Sequence, residues 1–416
     1  MKFIPILIIL ILLAILCVPC ASAQTDEGLL NNISSVGIEF LPPPVMTIVP
    51  EANGYPVSGI KLRDGSILVA WSTGASDYDN SASILGSIST DGGYSWSDSF
   101  ILVKNRGKRL TEQQFMYSGE NLYEIYSEIN ESGNESAWLS TLYMRESLDG
   151  GAYNWSDDVE ISNWSSLFTI TSNPIQLKSG RWIFPVQYIT TSSNFSHYYS
   201  SVFYTDNFTG LSTKWLRGGI ADNPNIPTNE MSIVQTDDGN ITGLLRYNGY
   251  HFLQTFSDDG GATWTVPRYS NIPSSDARPH IMRLSDGNIV LAWNDVSDSS
   301  PRTPLSIAIL NTSATGLVSV TNLTLETQTE EYQNMGIIDL SNGDFLAVTD
   351  ESRIGYKQTC QPTHLPMGIY GGWCNPLGIA AYRANAKLIG HESDIIQYTT
   401  ANEFMGITTP PITGIL

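Results

Sequence analysis

The sequence predicts an all-β protein, a six-bladed β-propeller of four-stranded antiparallel blades. Two observations carry that expectation. One is a phrase that returns six times: a β-rich run, a polar residue with Gly, then a second β-rich run. The other is composition. Of 416 residues, 41% are hydrophobic and only 15% charged, so the core is ample and the polar surface must come from Ser, Thr, Asn and Gln. That balance suits an extracellular β-rich protein and excludes global disorder. The formal net charge of −20, from 21 basic and 41 acidic side chains, argues against a nucleic-acid partner and against a basic membrane-surface patch.

Residues 1–23 read as a signal peptide. Lys2 supplies the positive charge, Phe3 to Val18 is almost wholly apolar, and Ala21-Ser22-Ala23 is a small-x-small cleavage signal before Gln24. No later apolar run approaches the roughly 18 residues of a membrane span, so none is expected after cleavage. Residues 24–50 read as an N-terminal extension available to complete the last blade, and residues 51–416 as the propeller. Ten Asn-x-Ser/Thr sequons, from Asn32 to Asn322, suit a glycosylated protein that is secreted or displayed on the cell surface.

The repeated phrase runs from Ile60 to Trp71, Ile175 to Val186, Ile233 to Arg246, Ile281 to Trp293 and Ile337 to Val348. A poorer copy runs from Met116 to Tyr126. The turn glycines are Gly65, Gly119, Gly180, Gly239, Gly287 and Gly343, spaced by 48 to 61 residues. Asp-Gly, Ser-Gly and Asn-Gly between apolar runs are hairpin turns, because Gly reaches positive φ without strain. The spacing leaves room for four strands per repeat and makes one domain of the whole.

A second motif lies between some hairpins. Ser89-Thr90-Asp91-Gly92-Gly93-Tyr94-Ser95-Trp96 is one copy, and Ser257-Asp258-Asp259-Gly260-Gly261-Ala262-Thr263-Trp264 another. Ser147-Leu148-Asp149-Gly150-Gly151-Ala152-Tyr153-Asn154-Trp155 is a third, with one extra residue before Trp155. In this reading Asp91, Asp149 and Asp259 accept hydrogen bonds from nearby backbone N–H groups, while Trp96, Trp155 and Trp264 pack into their blades. Their role is structural.

These copies match the Asp-box, or BNR repeat (S/T-x-D-x-G-x-x-W). With the six hairpins, the chain resembles the sialidase superfamily over nearly all of its length after the leader. The motif is specific for the fold and a poor signal for activity, since Asp-boxes also occur in non-catalytic propellers.

Candidate site residues come from the hairpins. Positions nine before and seven after the turn Gly fall at one end of a blade, because the strands are antiparallel. In five blades they are mostly polar: Pro56, Thr171, Glu230, Arg278 and Asn334 before, and Ser72, Gln187, Arg246, Asn294 and Asp350 after. Strand-end polarity alone would explain some of them. Charges at Glu230, Arg246, Arg278 and Asp350 are costly unless paired or solvated, which points to a sugar pocket at the channel mouth.

The resemblance implies roles. Superfamily members grip the sialic-acid carboxylate with three arginines and use a Tyr nucleophile, a Glu that activates it and an Asp acid/base. By resemblance, Glu230 with Arg246 corresponds to the Glu and second Arg, Arg302 to the third Arg, and Tyr332 to the nucleophile. Asp77 or Asp79 stands where the acid/base would fall. The first Arg belongs to a Phe-Arg-Ile-Pro phrase, and here the stretch is Gly54-Tyr55-Pro56-Val57, without Arg. Arg278 or Arg353 is available as a replacement cation. The function implied is an exo-acting glycoside hydrolase that removes a terminal acidic sugar. A non-catalytic glycan-binding propeller and a polysaccharide lyase are the alternatives. No cofactor and no metal is implied, and nothing in the repeats sets an oligomeric state.

Cleavage of the leader removes Cys17 and Cys20 and leaves Cys360 and Cys374. Two thiols with His364 make a poor zinc site, whereas export brings oxidising conditions, so a disulfide is expected. Closing the intervening loop should stabilise by roughly 2–4 kcal/mol. Non-reducing peptide mapping of exported protein should recover the Cys360 and Cys374 peptides joined; two free thiols would refute the pairing.

Overall fold

A computed structural model describes residues 35–50, 56–74, 79–130, 139–162, 166–190, 198–247, 249–296, 302–324, 330–353 and 376–389. Among them there is no α-helix, and six antiparallel sheets make a ring. The chain opens with β1 (Ser35–Pro50), which joins the last sheet. Blade 1 is β2 (Val57–Lys61), β3 (Ile67–Ser72), β4 (Ile84–Ser89) and β5 (Phe100–Val103). Blade 2 is β6 (Arg109–Ser118), β7 (Asn121–Asn130), β8 (Leu139–Glu146) and β9 (Val159–Ser162). In blade 3 the inner strand comes in two pieces, β10 (Ser166–Ile170) and β11 (Ile175–Gln176). Both pair with β12 (Trp182–Thr190), followed by β13 (Tyr199–Thr205) and β14 (Leu216–Arg217).

Blade 4 is β15 (Met231–Gln235), β16 (Ile241–Leu245), β17 (His251–Ser257) and β18 (Arg268–Pro273). Blade 5 is β19 (His280–Arg283), β20 (Ile289–Asn294), β21 (Leu305–Leu310) and β22 (Leu317–Asn322). Blade 6 takes β23 (Glu330–Ser341), β24 (Asp344–Arg353) and β25 (Pro376–Ile389), and β1 pairs antiparallel with β25 as its outer strand. Blade 6 is thereby built from both ends of the described chain.

The hydrophobic core is correspondingly six cores. Each apolar cluster lies between two consecutive blades: Leu68, Ala70 and Ile84 meet Leu110, Phe115 and Tyr126 between blades 1 and 2, for instance. Trp71 and Val69 meet Ile338, Leu346 and Val348 between blades 1 and 6, which closes the ring. A strand in the middle of a blade therefore buries both faces. This is why ILVAWS and IVLAWN read as unbroken apolar runs, and every residue of β3 and β20 is buried. Burying one such side chain contributes about 1.5–3 kcal/mol. The outer β22 is half exposed and alternates instead.

The six turn glycines all have positive φ, from 60° at Gly119 to 97° at Gly287. The turns are of two kinds. In blades 1, 3, 4 and 5 the loop holds three residues: Gly65 N–H donates to Leu62 O at 3.0 Å and Leu62 N–H to Ser66 O at 2.7 Å, and the others repeat this. That is a type I turn closed by a left-handed Gly. In blades 2 and 6 the loop is shorter, with Ser118 opposite Asn121 and Ser341 opposite Asp344.

Asp-boxes sit at this turn end. Ile67 pairs with both Lys61 and Ser89, so the first box follows β4 beside the β2–β3 turn, while Ser72 lies at the other end. Asp91 accepts from Tyr94 N–H and Ser95 N–H, each at 2.9 Å, and from the Ser95 hydroxyl at 2.6 Å. The Ser95 bonds hold its carboxyl down at about 2. Asp259 repeats the pattern with Thr263 N–H at 2.9 Å and its hydroxyl at 2.6 Å. In the third box the extra residue changes the lock: Asp149 accepts from Gly151 N–H at 2.9 Å. Trp96, Trp155 and Trp264 pack against the clusters of their blades. Asp259→Ala should destabilise the protein by roughly 1–3 kcal/mol in denaturant unfolding. It should leave ligand affinity at the opposite end unchanged; lost affinity with an unchanged melting temperature would overturn the separation of lock from site.

Candidate active site

The ends of the inner strands opposite the turns surround one mouth of the channel; the other mouth, at the turn end, opens a cavity of about 770 Å³ lined by Lys61, Tyr117, Lys178, Arg283 and Asp339 among others. Strand pairing sets the first two residues side by side, since Arg246 N–H donates to Glu230 O at 2.8 Å just beyond the β15–β16 ladder. Arg278 lies two residues before β19 in blade 5. Blade 2 contributes through a bulge in β6. Glu112 and Gln113 stand opposite the single Tyr126, and Glu112 adopts a left-handed φ of 58°. A bulge re-aims side chains, and a non-glycine residue in this conformation stores local strain.

Those residues form one buried ion network. Arg278 donates to both oxygens of Glu112, from Nη1 at 2.7 Å and Nη2 at 2.6 Å. Its Nε and Nη2 also reach Glu230 Oε1, at 3.1 and 2.5 Å. Glu230 Oε2 accepts from Arg246 Nη1 at 2.9 Å, and Arg246 Nε donates to Asp276 at 2.7 Å. The sequence of charges is thus Glu112, Arg278, Glu230, Arg246, Asp276. Blades 2 and 5 are opposite members of a six-membered ring, so the Glu112–Arg278 bridge spans the channel.

Electrostatics follow from this order. Burial raises the Glu230 carboxyl, but the Arg278 and Arg246 charges outweigh it and hold the group at about 2. Asp276 is lowered too, where Arg246 overcomes burial. At Glu112 burial prevails over Arg278 and pushes the carboxyl up. Both arginines are held above their ordinary range by the carboxylates despite burial. His280, just behind, is driven down to about 4 by burial and by Arg278, so it is neutral at physiological pH.

Gln113, beside Glu112, stitches blade 2 to blade 1. Its Nε2 donates to Pro56 O at 2.8 Å and Ala70 O at 2.7 Å, and Ser58 Oγ donates to its carbonyl at 2.6 Å. Arg302 donates to Gln333 of β23, and Asn294 fixes the Arg302 carbonyl at 2.9 Å. Asp350 is buried on β24 opposite Gln333. Thr171 and Gln187 have structural work: Thr171 Oγ1 donates to Met231 O at 2.6 Å and Gln187 to Asn229 at 2.6 Å.

Among the sequence candidates, the structure therefore brings Glu230, Arg246 and Arg278 into one network, with Arg302 and Asp350 at the same end. Asp79 lies in the β3–β4 loop and accepts from Ser81 N–H at 2.8 Å and its hydroxyl at 2.5 Å. Tyr332 lies on β23 in register with Glu351, and Arg353 ends β24. The side chains of Tyr332 and Arg353, together with Asp77, Cys360 and Cys374, fall outside the described residues. Sequence reasoning missed Glu112, Gln113 and Asp276. The polar run Thr111-Glu112-Gln113-Gln114 inside an apolar strand was the available signal for the first two. Among the described residues no group of His, Cys, Asp and Glu is arranged to hold a metal ion.

The BNR repeat-like domain family matches residues 65–347. No curated protein matches the chain. Among solved structures, a Dyadobacter fermentans protein of unknown function has a TM-score of 0.66 at 15% identity, over 84% of this chain and 100% of that one. The Hadza microbial sialidase Hz136 has a TM-score of 0.62 at 14% identity, over 80% and 66%. The Ruminococcus gnavus intramolecular trans-sialidase, solved with oseltamivir carboxylate, has a TM-score of 0.59 at 14% identity, over 82% and 96%. At these identities the likeness is one of fold.

Removing one member of a buried ion network leaves its partners uncompensated, so Arg278→Met should cost about 3–5 kcal/mol at neutral pH. The wild-type Glu230 contribution is whole above the ordinary 4.5 and is lost as pH falls toward about 2. Without Arg278 the Glu112 carboxyl, already raised by burial, loses its counter-charge and is raised further, so its protonation relieves the variant and the penalty should shrink on acidification. Denaturant unfolding at pH 7 and pH 4 measures this; an equal penalty at both would show that the carboxylates are not held by Arg278.

Proposed function

The chain belongs to the BNR repeat-like domain family, and on that premise we propose that it is a sialidase-like, glycan-processing propeller, an exo-acting glycoside hydrolase. Its terminal sugar would sit at the channel mouth, outside the cell if the N-terminal segment exports it. The observation that carries this reading is the buried Glu112–Arg278–Glu230–Arg246–Asp276 network. Six apolar seams already hold the ring, and burying five charges costs desolvation that a purely structural propeller has no need to bear.

In the proposed reaction Glu230 polarises the Tyr332 hydroxyl and takes its proton as Tyr332 attacks the anomeric carbon. Asp77 or Asp79 protonates the leaving oxygen. Water then releases the sugar from the tyrosyl intermediate, with the same acid acting as base. Tyr needs such a partner because its ordinary pKa is about 10. Resemblance to the superfamily alone would make the sugar acidic.

One observation favours a second reading, a glycan-binding propeller without catalysis. Both Glu230 oxygens are already engaged by arginines, which would make it a structural carboxylate. A glycan-hydrolysis screen decides between the two. Tyr332→Phe should keep the melting temperature and lower hydrolysis by about 10²-fold or more. Glycan binding without turnover, unaffected by that substitution, would leave the binding propeller as the function.

A further inference from the structure

This inference rests on the channel mouth being the sugar site. We propose that Glu112 is a built-in carboxylate that occupies Arg278 in place of a substrate carboxylate, so that the mouth selects a sugar carrying no carboxylate.

The argument is geometric. A guanidinium grips a carboxylate through two parallel N–H bonds, and this is the contact a carboxylated sugar would need. On Arg278 that two-pronged contact is already made by Glu112, at 2.7 and 2.6 Å. The remaining Nε edge is turned to Glu230, 3.1 Å away. Arg246 is spent likewise on Glu230 and Asp276. The guanidinium and carboxylate most open to solvent in this network, Arg246 and Asp276, are bonded to each other, with 17% and 21% of their side chains exposed, against 6% for Arg278. An incoming anion therefore meets a neutralised pair first.

Charge points the same way. The network holds three carboxylates against two guanidiniums, and with Asp350 and Arg302 at the same end the count is four against three, in a chain whose net charge is −20. That field repels a carboxylated sugar. Carboxylate oxygens with spare lone pairs instead accept hydrogen bonds from sugar hydroxyls, which every neutral sugar offers. The φ of 58° at Glu112 is the second mark of a positioned group: strained backbone is spent to bring this one carboxylate across the channel.

The test compares 4-methylumbelliferyl glycosides of neutral hexoses and N-acetylhexosamines with the corresponding sialoside on the full chain, alongside direct binding of free sialic acid. The expected result is binding or turnover of a neutral glycoside with none of the sialoside. Glu112→Gln should then raise affinity for free sialic acid by about tenfold or more, the scale of one charged hydrogen-bonded contact. In Glu112→Ala, acetate should refill the vacated place and raise the melting temperature, while leaving wild type unchanged. If wild type takes the sialoside in preference, the inference fails and the mouth remains the sugar site. If no glycan binds wild type, the mouth reading fails and takes the inference with it. Should both variants fail to fold, the wild-type comparison still decides.

Discussion

A single guanidinium organises the mouth of this propeller. Arg278 donates two bonds to Glu112 across the channel and two to Glu230 in the neighbouring blade, and Glu230 in turn fixes Arg246 against Asp276. Each member is affordable in its buried place only because the next is there. Remove Arg278 and Glu112 loses its guanidinium while Glu230 keeps only Arg246. The network thus ties blades 2, 4 and 5 together at the end opposite the β2–β3-type turns.

The two ends of the ring divide the work. At the turn end, left-handed glycines and short loops hold each hairpin, and three Asp-boxes lock blades 1, 2 and 4, all by bonds between residues that are close in sequence. Between the ends, six apolar seams join blade to blade, and β1 pairs with β25 to complete the last sheet. The mouth end is then free to carry charge and strain, and it carries both: the ion network and the left-handed residues Glu112 and Asn334, each beside a bulge in an inner strand.

Membership of the BNR repeat-like family accounts for the scaffold, and the same scaffold serves sialidases and a Dyadobacter fermentans protein of unknown function. In this chain Arg278 and Arg246 are partnered by internal carboxylates. The superfamily's first Arg has no counterpart in Gly54-Tyr55-Pro56-Val57, and in that neighbourhood Gln113 bonds the carbonyls of Pro56 and Ala70 instead. Arginines bonded to internal carboxylates leave the oxygens of those carboxylates as the acceptors at this end.

The sequence by itself determined the ring and its locks. Gly65 and its five counterparts, the apolar runs that follow them, and Asp91, Asp149 and Asp259 all act within a few residues of their own position, so their pattern can be read along the chain. It also determined that Glu230 and Arg246 share an end, because antiparallel pairing across one turn is a matter of counting. Glu112 was beyond that counting. An extra residue in β6 breaks the hairpin register, and its partner Arg278 lies 166 positions away. Asp276 was likewise beyond it, because only the loop between β18 and β19, running from blade 4 into blade 5, brings its carboxylate to Arg246. Only the closed ring decides which charges meet across the channel, because their pairing depends on how six twisted sheets converge and on nothing local to any of them.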